Sequence, residues 1–282
     1  MCRPDTLGPS EHFRKRTMHN PKPKIIFFDI DDTLYRKYTD TLRPSVTEAV
    51  NALKSKGILT AIATGRPYVA MPAKVRALAE EAGIDLLLTI NGQFIRHNGS
   101  VLKTFPLRRE NIAALCADLD GLGIAHAFVS NDNIAVSEPL PEVEKAMRHI
   151  LPQHPVDKDF FRSNDVFQIL GFYGKEYDAR VDALAAKYGF RTVRWHETGV
   201  DILDIEGSKA RGIRTAAAAL GIDIADTMAF GDGLNDIEMM KAVGFGVCMG
   251  NGHPDTQAAA DYVCPTVEED GVYNGLKALG II

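Results

Sequence analysis

Two closely spaced carboxylates follow the first apolar run of the chain. They are Asp29 and Asp31, within Phe27-Phe28-Asp29-Ile30-Asp31-Asp32-Thr33. Alternate residues of an extended chain face the same side, so their Cα atoms lie about 6 to 7 Å apart. Two ionised carboxylates at the rim of an apolar core have raised pKa values unless a cation lies between them. We therefore expect Mg²⁺ here, because it prefers oxygen ligands and substrate phosphates. For this run alone, an aspartate-rich turn is an equally acceptable interpretation.

A second acidic segment favours the metal site over the aspartate-rich turn. It reads Gly231-Asp232-Gly233-Leu234-Asn235-Asp236 and follows the apolar run from Met228 to Phe230. Asn235 or Asp236 could simply cap the next helix. Capping does not explain Asp232 between two glycines, and we expect Asp232 to close the metal site from an adjacent strand.

Phosphate-binding groups are expected at two further places. Ile62-Ala63-Thr64-Gly65-Arg66-Pro67 ends a strand with a hydroxyl, and Pro67 predicts a helix N-terminus that binds an anion. Thr64 as a plain N-cap is the alternative, and it is compatible with anion binding. Lys209 stands in a first helical turn after Ser208, its expected cap, where a cation opposes the helix dipole. Local rules are often broken at functional sites, so we favour a phosphate-facing Lys209 over a solvated one.

The elements that must position these groups alternate between strand and helix. Strands are predicted at Ile25 to Phe28 and Ile58 to Ala63, and helices where apolar residues recur at i, i+3, i+4 and i+7. The helical patterns begin at Val46, Val75, Ile112, Val181 and Ile213, and Gly57, Gly83 and Gly221 end three of them. This order predicts an α/β fold with a parallel sheet covered by helices on both faces. Ligands of such folds bind beyond the carboxyl ends of the strands.

The middle of the chain has strands and helices of its own, and its loops are rich in proline and asparagine. We expect a second α/β module inserted into the first. The predicted division is a disordered leader over residues 1–22, a core formed by 23–84 and 195–282, and an insert over 85–194.

Composition narrows the function classes further. The 282 residues carry a formal net charge of −5, with 45% apolar and 24% charged residues, as in ordinary globular proteins. Basic residues are spread along the chain, so a nucleic-acid partner is not expected, and no apolar run approaches the roughly 20 residues of a membrane helix. Four scattered cysteines without CxxC favour a reducing cytoplasm over a disulfide scaffold.

Taken in order, the four pieces resemble the haloacid dehalogenase (HAD) superfamily of phosphohydrolases: DxDxT, a threonine after the second strand, a lysine, and GDGxND. The position of the insert between Thr64 and Lys209 is similar to that in the C2-capped Cof-type, or IIB, hydrolases. The resemblance extends from about Lys24 to the C-terminus. The usual Ser-Asn-Gly-Ala of the family reads Ile90-Asn91-Gly92-Gln93 here.

The resemblance implies a role for each matching residue. Asp29 is then the nucleophile that forms an aspartyl-phosphate, and Asp31 is the general acid and base. The Asp29 side chain, the Asp31 carbonyl and Asp232 would bind Mg²⁺, with Asp236 behind them or bound through water. Asp32 is expected to point away. Contacts to the phosphoryl group and the substrate are then expected from Thr64, Gly65, Lys209, Asn235, Asn91 and Gly92.

These expectations add up to a Mg²⁺-dependent phosphatase that hydrolyses a small phosphorylated metabolite, such as a sugar phosphate. Two alternatives stay open: a phosphomutase of the same superfamily, and a non-catalytic sensor that binds a phosphorylated ligand or a partner protein. We expect a monomer or homodimer without a nucleic-acid or membrane partner. Arg194 and His196, near the end of the insert, are expected to be surface residues, with contact to a ligand as the alternative.

Overall fold

The computed structural model describes residues 21–282, apart from 149 and 152. Residues 1–20, which make up most of the predicted leader, lie outside the described residues. In chain order, the strands of the described residues are β1 (Ile25–Phe28), β2 (Tyr35–Arg36), β3 (Thr41–Leu42), β4 (Leu59–Ala63), β5 (Leu86–Thr89), β6 (Phe94–His97), β7 (Ser100–Thr104), β8 (Ala125–Val129), β9 (Ile134–Val136), β10 (Gln168–Phe172), β11 (Phe190–Arg194), β12 (Gly199–Asp204), β13 (Thr227–Gly231), β14 (Phe245–Cys248) and β15 (Tyr262–Val263).

The α-helices of the same residues are α1 (Pro44–Ser55), α2 (Ala73–Ala82), α3 (Arg109–Asp120), α4 (Pro141–Met147), α5 (Asp178–Lys187), α6 (Lys209–Ala219), α7 (Ile237–Ala242), α8 (Pro254–Ala259) and α9 (Gly271–Ala278). Short 3₁₀ turns lie at Tyr68–Ala70, Phe160–Arg162, Lys175–Tyr177, Ile224–Asp226, Leu234–Asp236 and Val267–Glu269. None of the helices in this part of the chain is long and apolar enough to cross a membrane.

The larger sheet has eight strands in the order β15-β14-β13-β1-β4-β5-β6-β7. From β15 to β5 all neighbours are parallel, and β6 and β7 extend the edge in antiparallel fashion. β1 is buried on both faces because helices cover each side: α1, α2 and α9 pack on one, α6 and α7 on the other. The predicted α/β fold, with a mainly parallel sheet between two helical layers, is confirmed.

The helix limits follow the apolar periodicity. The four residues predicted to face the core from α1, namely Val46, Ala49, Val50 and Leu53, are all buried. α2 ends at Gly83, whose φ of 72° lies in the left-handed region that glycine adopts without a Cβ clash. The predicted stop at Gly83 is therefore correct.

The smaller sheet has five antiparallel strands in the order β11-β12-β10-β8-β9. α3 and α5 pack on one of its faces around Phe128 and Ile169. Its other face packs on α4 and on Ala70 and Ile90 of the larger unit. This face therefore covers the carboxyl edge of the parallel strands.

Sheet membership moves both predicted boundaries of the insert. β5, β6 and β7 belong to the larger sheet although they lie after residue 84, and β12 belongs to the smaller sheet although it lies after residue 194. The expected limits of 85–194 therefore do not match the sheets. The reason is that an edge hairpin and an inserted strand have the same local sequence pattern, and only strand pairing distinguishes them. We propose that the insert lies between Thr104 and Lys209.

Candidate active site

The predicted motifs meet at the carboxyl edge of three adjacent parallel strands. β1 lies between β13 and β4, and the chain leaves these strands at Asp29, Asp232 and Thr64 respectively. The backbone N–H of Asp29 still donates to the carbonyl of Phe230, at 2.9 Å, so this loop remains in register with the sheet. The sheet order thus brings together groups that are far apart in the sequence.

Lys209 lies at the centre of this edge and is fully buried. Its Nζ donates to Oδ1 of Asp29 and to Oδ1 of Asp236, each at 2.6 Å. Burial works to lower the pKa of Lys209, but the two carboxylates outweigh it and raise that pKa. Ser208 caps α6 by accepting from the N–H of Arg211, as predicted. The alternative of a solvated Lys209 is wrong; its contact with a phosphate stays a prediction.

Asp236 organises the loop after β13. Its Oδ2 accepts from the backbone N–H groups of Asp232 and Gly233, at 2.9 and 3.0 Å. A Cβ on Gly231 would lie 2.6 Å from the Asp236 carboxyl carbon, so this approach requires glycine. The Thr33 hydroxyl donates to Oδ1 of Asp232 at 3.2 Å. Asp236 therefore caps this loop and at the same time contacts Lys209.

Three carboxylates of this cluster fit a divalent cation. One ligand atom from each of Asp29, Asp232 and Asp236 lies within 4.8 Å of the others. Burial raises the pKa of Asp29 to about 7, and the nearby Asp236 and Asp31 add to the effect while Lys209 opposes it. Burial likewise raises the pKa of Asp232 to about 9, reinforced by Asp29 and Asp236. One lysine thus leaves negative charge uncompensated, and an all-oxygen donor set suits a hard cation such as Mg²⁺.

The Asp31 side chain points away from the carboxylate cluster, while the predicted role of its backbone carbonyl as a metal ligand stays a prediction. Its two carboxylate oxygens accept from Nε and Nη2 of Arg66, at 2.7 and 2.8 Å, outside the cluster of Asp29, Asp232 and Asp236. Nη1 of Arg66 donates to the carbonyl of Ala70 at 2.8 Å. This two-point contact fixes the direction of the Asp31 carboxylate. Sequence reasoning gave Arg66 no role; its position directly after Thr64-Gly65 was the available signal.

The segment after β4 departs from the prediction. No α-helix begins at Pro67; the 3₁₀ turn Tyr68–Ala70 follows, and α2 starts only at Ala73. The Thr64 hydroxyl accepts from the backbone N–H of Arg66 at 3.1 Å, which closes a local turn and does not cap a helix. Serine and threonine hydroxyls form such turns readily, so a hydroxyl followed by proline did not distinguish the two cases. Gly65 lines the cavity described below.

Asn91 and Gly92 have different positions. Asn91 is buried with φ of 54° in a turn that also holds Ile90 at 52°. Its Oδ1 accepts from Nδ2 of Asn235 at 3.0 Å, which links it to the loop after β13. A Cβ on Gly92 would lie 2.7 Å from the carbonyl oxygen of Ser208, so Gly92 allows the turn to pack on α6. Its expected contact with the substrate stays a prediction.

A cavity of about 520 Å³ lies between the two sheets. We call the part on the larger unit the floor: Asp29, Asp31, Asp232 and Asn235 line it, and the side chains that hold them, Lys209, Asp236 and Arg66, belong to it. We call the opposite part, on the smaller sheet, the wall, formed by Gln168, Leu170, Val193, Trp195 and Asp201.

Two residues expected at the surface, Arg194 and His196, also line this cavity. The Arg194 guanidinium pairs with Asp178 and donates to the carbonyls of Tyr173, His196 and Glu197, which stabilises the hairpin that carries Trp195. Asp32 pairs with Arg36 at 2.8 Å but also lines this cavity, so the expectation that it points away from the reacting groups stays a prediction.

Comparison with known proteins shows which family this chain resembles. The family model described as haloacid dehalogenase-like hydrolase matches residues 26–276. The Bacillus subtilis protein named "Putative phosphatase YkrA" is 36% identical over 261 residues, which cover 92% of this chain and 98% of that protein.

Solved structures agree with this family. The crystal structure of a hypothetical protein from Geobacillus kaustophilus HTA426 is similar, with a TM-score of 0.81 and 39% identity over 92% of this chain and 100% of that chain. The HAD subclass IIB sugar phosphatase BT4131 is also similar, with a TM-score of 0.83 and 32% identity over 92% and 99% of the two chains.

Proposed function

The chain belongs to the haloacid dehalogenase-like hydrolases and is a phosphatase of that family, and we propose that it hydrolyses the phosphate monoester of a small metabolite with Mg²⁺ as cofactor. One observation carries this proposal. The carboxylate of Asp29 is held by a fully buried Lys209 at the floor of a covered cavity, beside two further carboxylates. Asp31 lies at the same floor, fixed by Arg66. A module that only binds phosphate has no need of a buried nucleophile next to a proton-transfer group.

In the first half-reaction, an oxygen of Asp29 attacks phosphorus and forms the aspartyl-phosphate. The bond between phosphorus and the ester oxygen breaks, and Asp31 gives its proton to that oxygen. The alcohol then leaves. Arg66 keeps the Asp31 carboxyl in one orientation through both of its oxygens.

In the second half-reaction, a water molecule gives a proton to Asp31 and attacks the same phosphorus. The bond between phosphorus and the Asp29 oxygen breaks, inorganic phosphate leaves, and the Asp29 carboxylate and protonated Asp31 are regenerated. The cover provided by the smaller sheet limits this reaction to water admitted to the cavity.

The remaining groups stabilise the negative charge of the phosphoryl group. Lys209 donates to the phosphoryl oxygens, and the Asn235 amide, the Thr64 hydroxyl and the Gly65 backbone complete their surroundings. The Asp29 and Asp232 side chains and the Asp31 carbonyl would hold the Mg²⁺ ion, with Asp236 behind them or bound through water; when bound, the ion offsets the negative charge of the carboxylates and of the phosphoryl group. Such charge stabilisation supplies most of the acceleration in phosphoryl transfer.

The substrate and setting follow from the cavity and the cysteines. A cavity of about 520 Å³ fits a small ester such as a sugar phosphate, and neither a nucleic acid nor a membrane is a partner in this proposal. The free cysteines of the described residues, Cys116, Cys248 and Cys264, are buried and suit a reducing cytoplasm. The chain acts as a monomer or homodimer.

The test measures phosphate release from a panel of metabolite esters, with Mg²⁺ and with a chelator. We expect release that requires Mg²⁺ and falls at least about a thousandfold in Asp29→Asn, because the nucleophile is lost. Asp165→Asn is the matched control: it removes the same charge from an exposed side chain that does not line the cavity. It should keep most of the activity.

Three outcomes would contradict the proposal. Full activity of Asp29→Asn would exclude Asp29 as the nucleophile. An isomerised ester without free phosphate would favour a phosphomutase. Thermal stabilisation by phosphorylated ligands without any turnover over the panel would favour a sensor.

A further inference from the structure

The wall of the cavity carries a carboxylate on a mostly apolar surface. Asp201 of β12 pairs with Leu170 of β10 on one side and with Val193 of β11 on the other. Residues directly opposite in a sheet share a face, so all three point to the cavity, which they line. Gln168, two residues before Leu170, is the other polar group of this part of the wall. Its strand neighbours on both sides are apolar, and the opposing charge of Arg191 lowers the pKa of Asp201 less than burial raises it.

The contacts of Asp201 leave much of its hydrogen-bonding capacity unused. Nδ2 of Asn91 donates to Oδ2 of Asp201 at 3.4 Å, and the same nitrogen donates to Oε1 of Gln168 at the shorter distance of 3.0 Å. Among the described residues, no cation forms an ion pair with Asp201. Burial raises the pKa of this carboxyl to about 7, and the Asn91 contact only partly opposes the effect.

A donor without a partner lies beside this carboxylate. The indole nitrogen Nε1 of Trp195 is buried and has no hydrogen-bond partner within the described part of the chain. Trp195 lines the same cavity, and its indole N–H lies near enough to Asp201 to lower the pKa of that carboxyl as a donor, although the two groups do not form a well-aligned hydrogen bond. Buried polar groups without partners are costly, so an acceptor at Asp201 and a donor at Trp195 indicate a ligand that serves both. A hydroxyl group can donate to one and accept from the other.

The position of Asp201 relative to the reacting groups follows from a short chain of hydrogen bonds. Asn91 contacts Asp201 with its nitrogen and Asn235 of the floor with its oxygen. Asp201 is therefore separated from the floor by one side chain. The part of a substrate that lies next to its phosphate would reach this carboxylate.

We propose that Asp201 determines specificity for the organic part of the substrate: it accepts a hydrogen bond from a neutral, hydroxyl-bearing leaving group and repels a leaving group that carries its own carboxylate. This inference rests on the proposed phosphatase function. Like charges brought together in a desolvated site cost several kcal/mol, whereas a hydroxyl satisfies both Asp201 and Trp195. If Asp201 served only to join the two units through Asn91, an amide would do so equally well and without the cost of a buried charge.

The experiment compares two esters of almost equal size, 2-hydroxyethyl phosphate and phosphoglycolate, which differ in a hydroxymethyl against a carboxylate. Values of kcat/KM are measured at pH 8.5, where the Asp201 carboxyl is ionised. We expect the wild type to prefer the neutral ester and Asp201→Asn to reduce that preference at least about tenfold, mainly by raising activity on phosphoglycolate. Asp201→Glu keeps the charge and should keep the preference.

Asp165→Asn is the control for overall charge. Asp165 lies in the same inserted module, is exposed, does not line the cavity, and has only a 3.9 Å ion pair with Arg109. It should leave the preference unchanged. Thermal unfolding and p-nitrophenyl phosphate hydrolysis show whether each variant is folded and has a working floor.

The outcomes separate this inference from the function on which it rests. Absence of phosphate release from every ester by the wild type would overturn the proposed function. Phosphate release that persists in Asp201→Asn with an unchanged preference would overturn only the role of Asp201. An equal loss of activity on both esters would do the same, because it indicates a structural contact. If the carboxylate of phosphoglycolate paired with Lys37 or Arg148, which line the same cavity, Asp201→Asn would also leave the preference unchanged. That result would overturn the role of Asp201.

Discussion

The floor and the wall of the cavity are organised differently. On the floor, charges contact one another directly: Lys209 lies 2.6 Å from Asp29 and from Asp236, and Arg66 binds both oxygens of Asp31. On the wall, Asp201 stands between two apolar residues, with one hydrogen bond of 3.4 Å. The floor is therefore preorganised by the chain itself, while the wall has polar groups that only a ligand can satisfy.

Chemistry and substrate selection therefore reside in different parts of the cavity. Preorganised charges are what a transition state with developing charge requires. Groups without partners on an otherwise apolar surface are costly in the free protein, and they discriminate between ligands that do and do not pair with them. Changes to the floor should thus reduce turnover of every ester, whereas changes to the wall should alter the choice among esters.

The largest expected effect comes from breaking the floor. Lys209→Met keeps the length of the side chain but leaves Asp29 and Asp236 buried without their cation. We expect kcat to fall at least about a hundredfold, and the free energy of unfolding, measured in urea with a chelator present, to fall by about 3 to 5 kcal/mol.

Lys24→Met is the matched control for that variant. Lys24 forms an ion pair with Asp226 of the same 2.6 Å length, but its side chain is 65% exposed. Exposed pairs contribute about 0 to 1 kcal/mol, so this variant should change neither stability nor turnover much. Equal losses in the two variants would contradict the special role of the buried lysine.

A smaller effect is expected from the group that orients the proton donor. Arg66→Lys replaces a two-point contact by a single one and should lower kcat/KM about tenfold to a hundredfold for alkyl phosphates, which need a protonated leaving oxygen. The loss should be smaller for p-nitrophenyl phosphate, because its leaving group is stable without a proton. Arg43→Lys, at the pair with Asp270, should leave both rates unchanged. A uniform loss over all esters would indicate that Arg66 does not act through Asp31.

The smallest expected effect is a pH-dependent change in the free energy of unfolding that is caused by Asp201 on the wall. Burial raises the folded-state pKa of Asp201 to about 7, above its ordinary value of 3.8. The folded chain therefore binds this proton more tightly than the unfolded chain. Ionisation of Asp201 thus lowers the free energy of unfolding as the pH rises from about 4 through 7. Asp201→Asn removes this dependence.

The measurement is urea unfolding of both proteins at pH 5 and pH 8. Relative to the wild type, Asp201→Asn should gain roughly 1 to 3 kcal/mol between these two pH values. Asp165→Asn should show no such gain. If the free energies of unfolding of the wild type and Asp201→Asn changed equally with pH, the raised pKa of the Asp201 carboxyl would be contradicted.

Much of the floor could be predicted from the sequence because its residues follow strand ends at fixed spacing. Asp29 and Asp232 follow buried strands that pair in parallel with neighbours, and parallel strands end at one edge. Lys209 was predicted from its unfavourable place in a first helical turn. The helix faces and the stop at Gly83 were predictable for the same local reasons.

Other parts depended on contacts between distant segments. The turn after Thr64 was predicted as a helix start, since proline is compatible with both. The close packing of Gly92 on α6, where a side chain would meet Ser208, had no local signal. The strands from β5 to β7 were predicted in the insert, because an edge hairpin has no local mark of the sheet that it joins.

Local patterns were enough to predict which residue types meet at one sheet edge and the chemistry of that edge, because periodicity and strand-end motifs act over a few residues. Three contacts became visible only in the folded chain: Arg66 holds Asp31, Asn91 connects the floor to the wall, and Asp201 faces the cavity between Leu170 and Val193. These contacts depend on antiparallel register and on the packing of one unit over the other. Such pairings join segments separated by tens of residues, and no short sequence pattern records them.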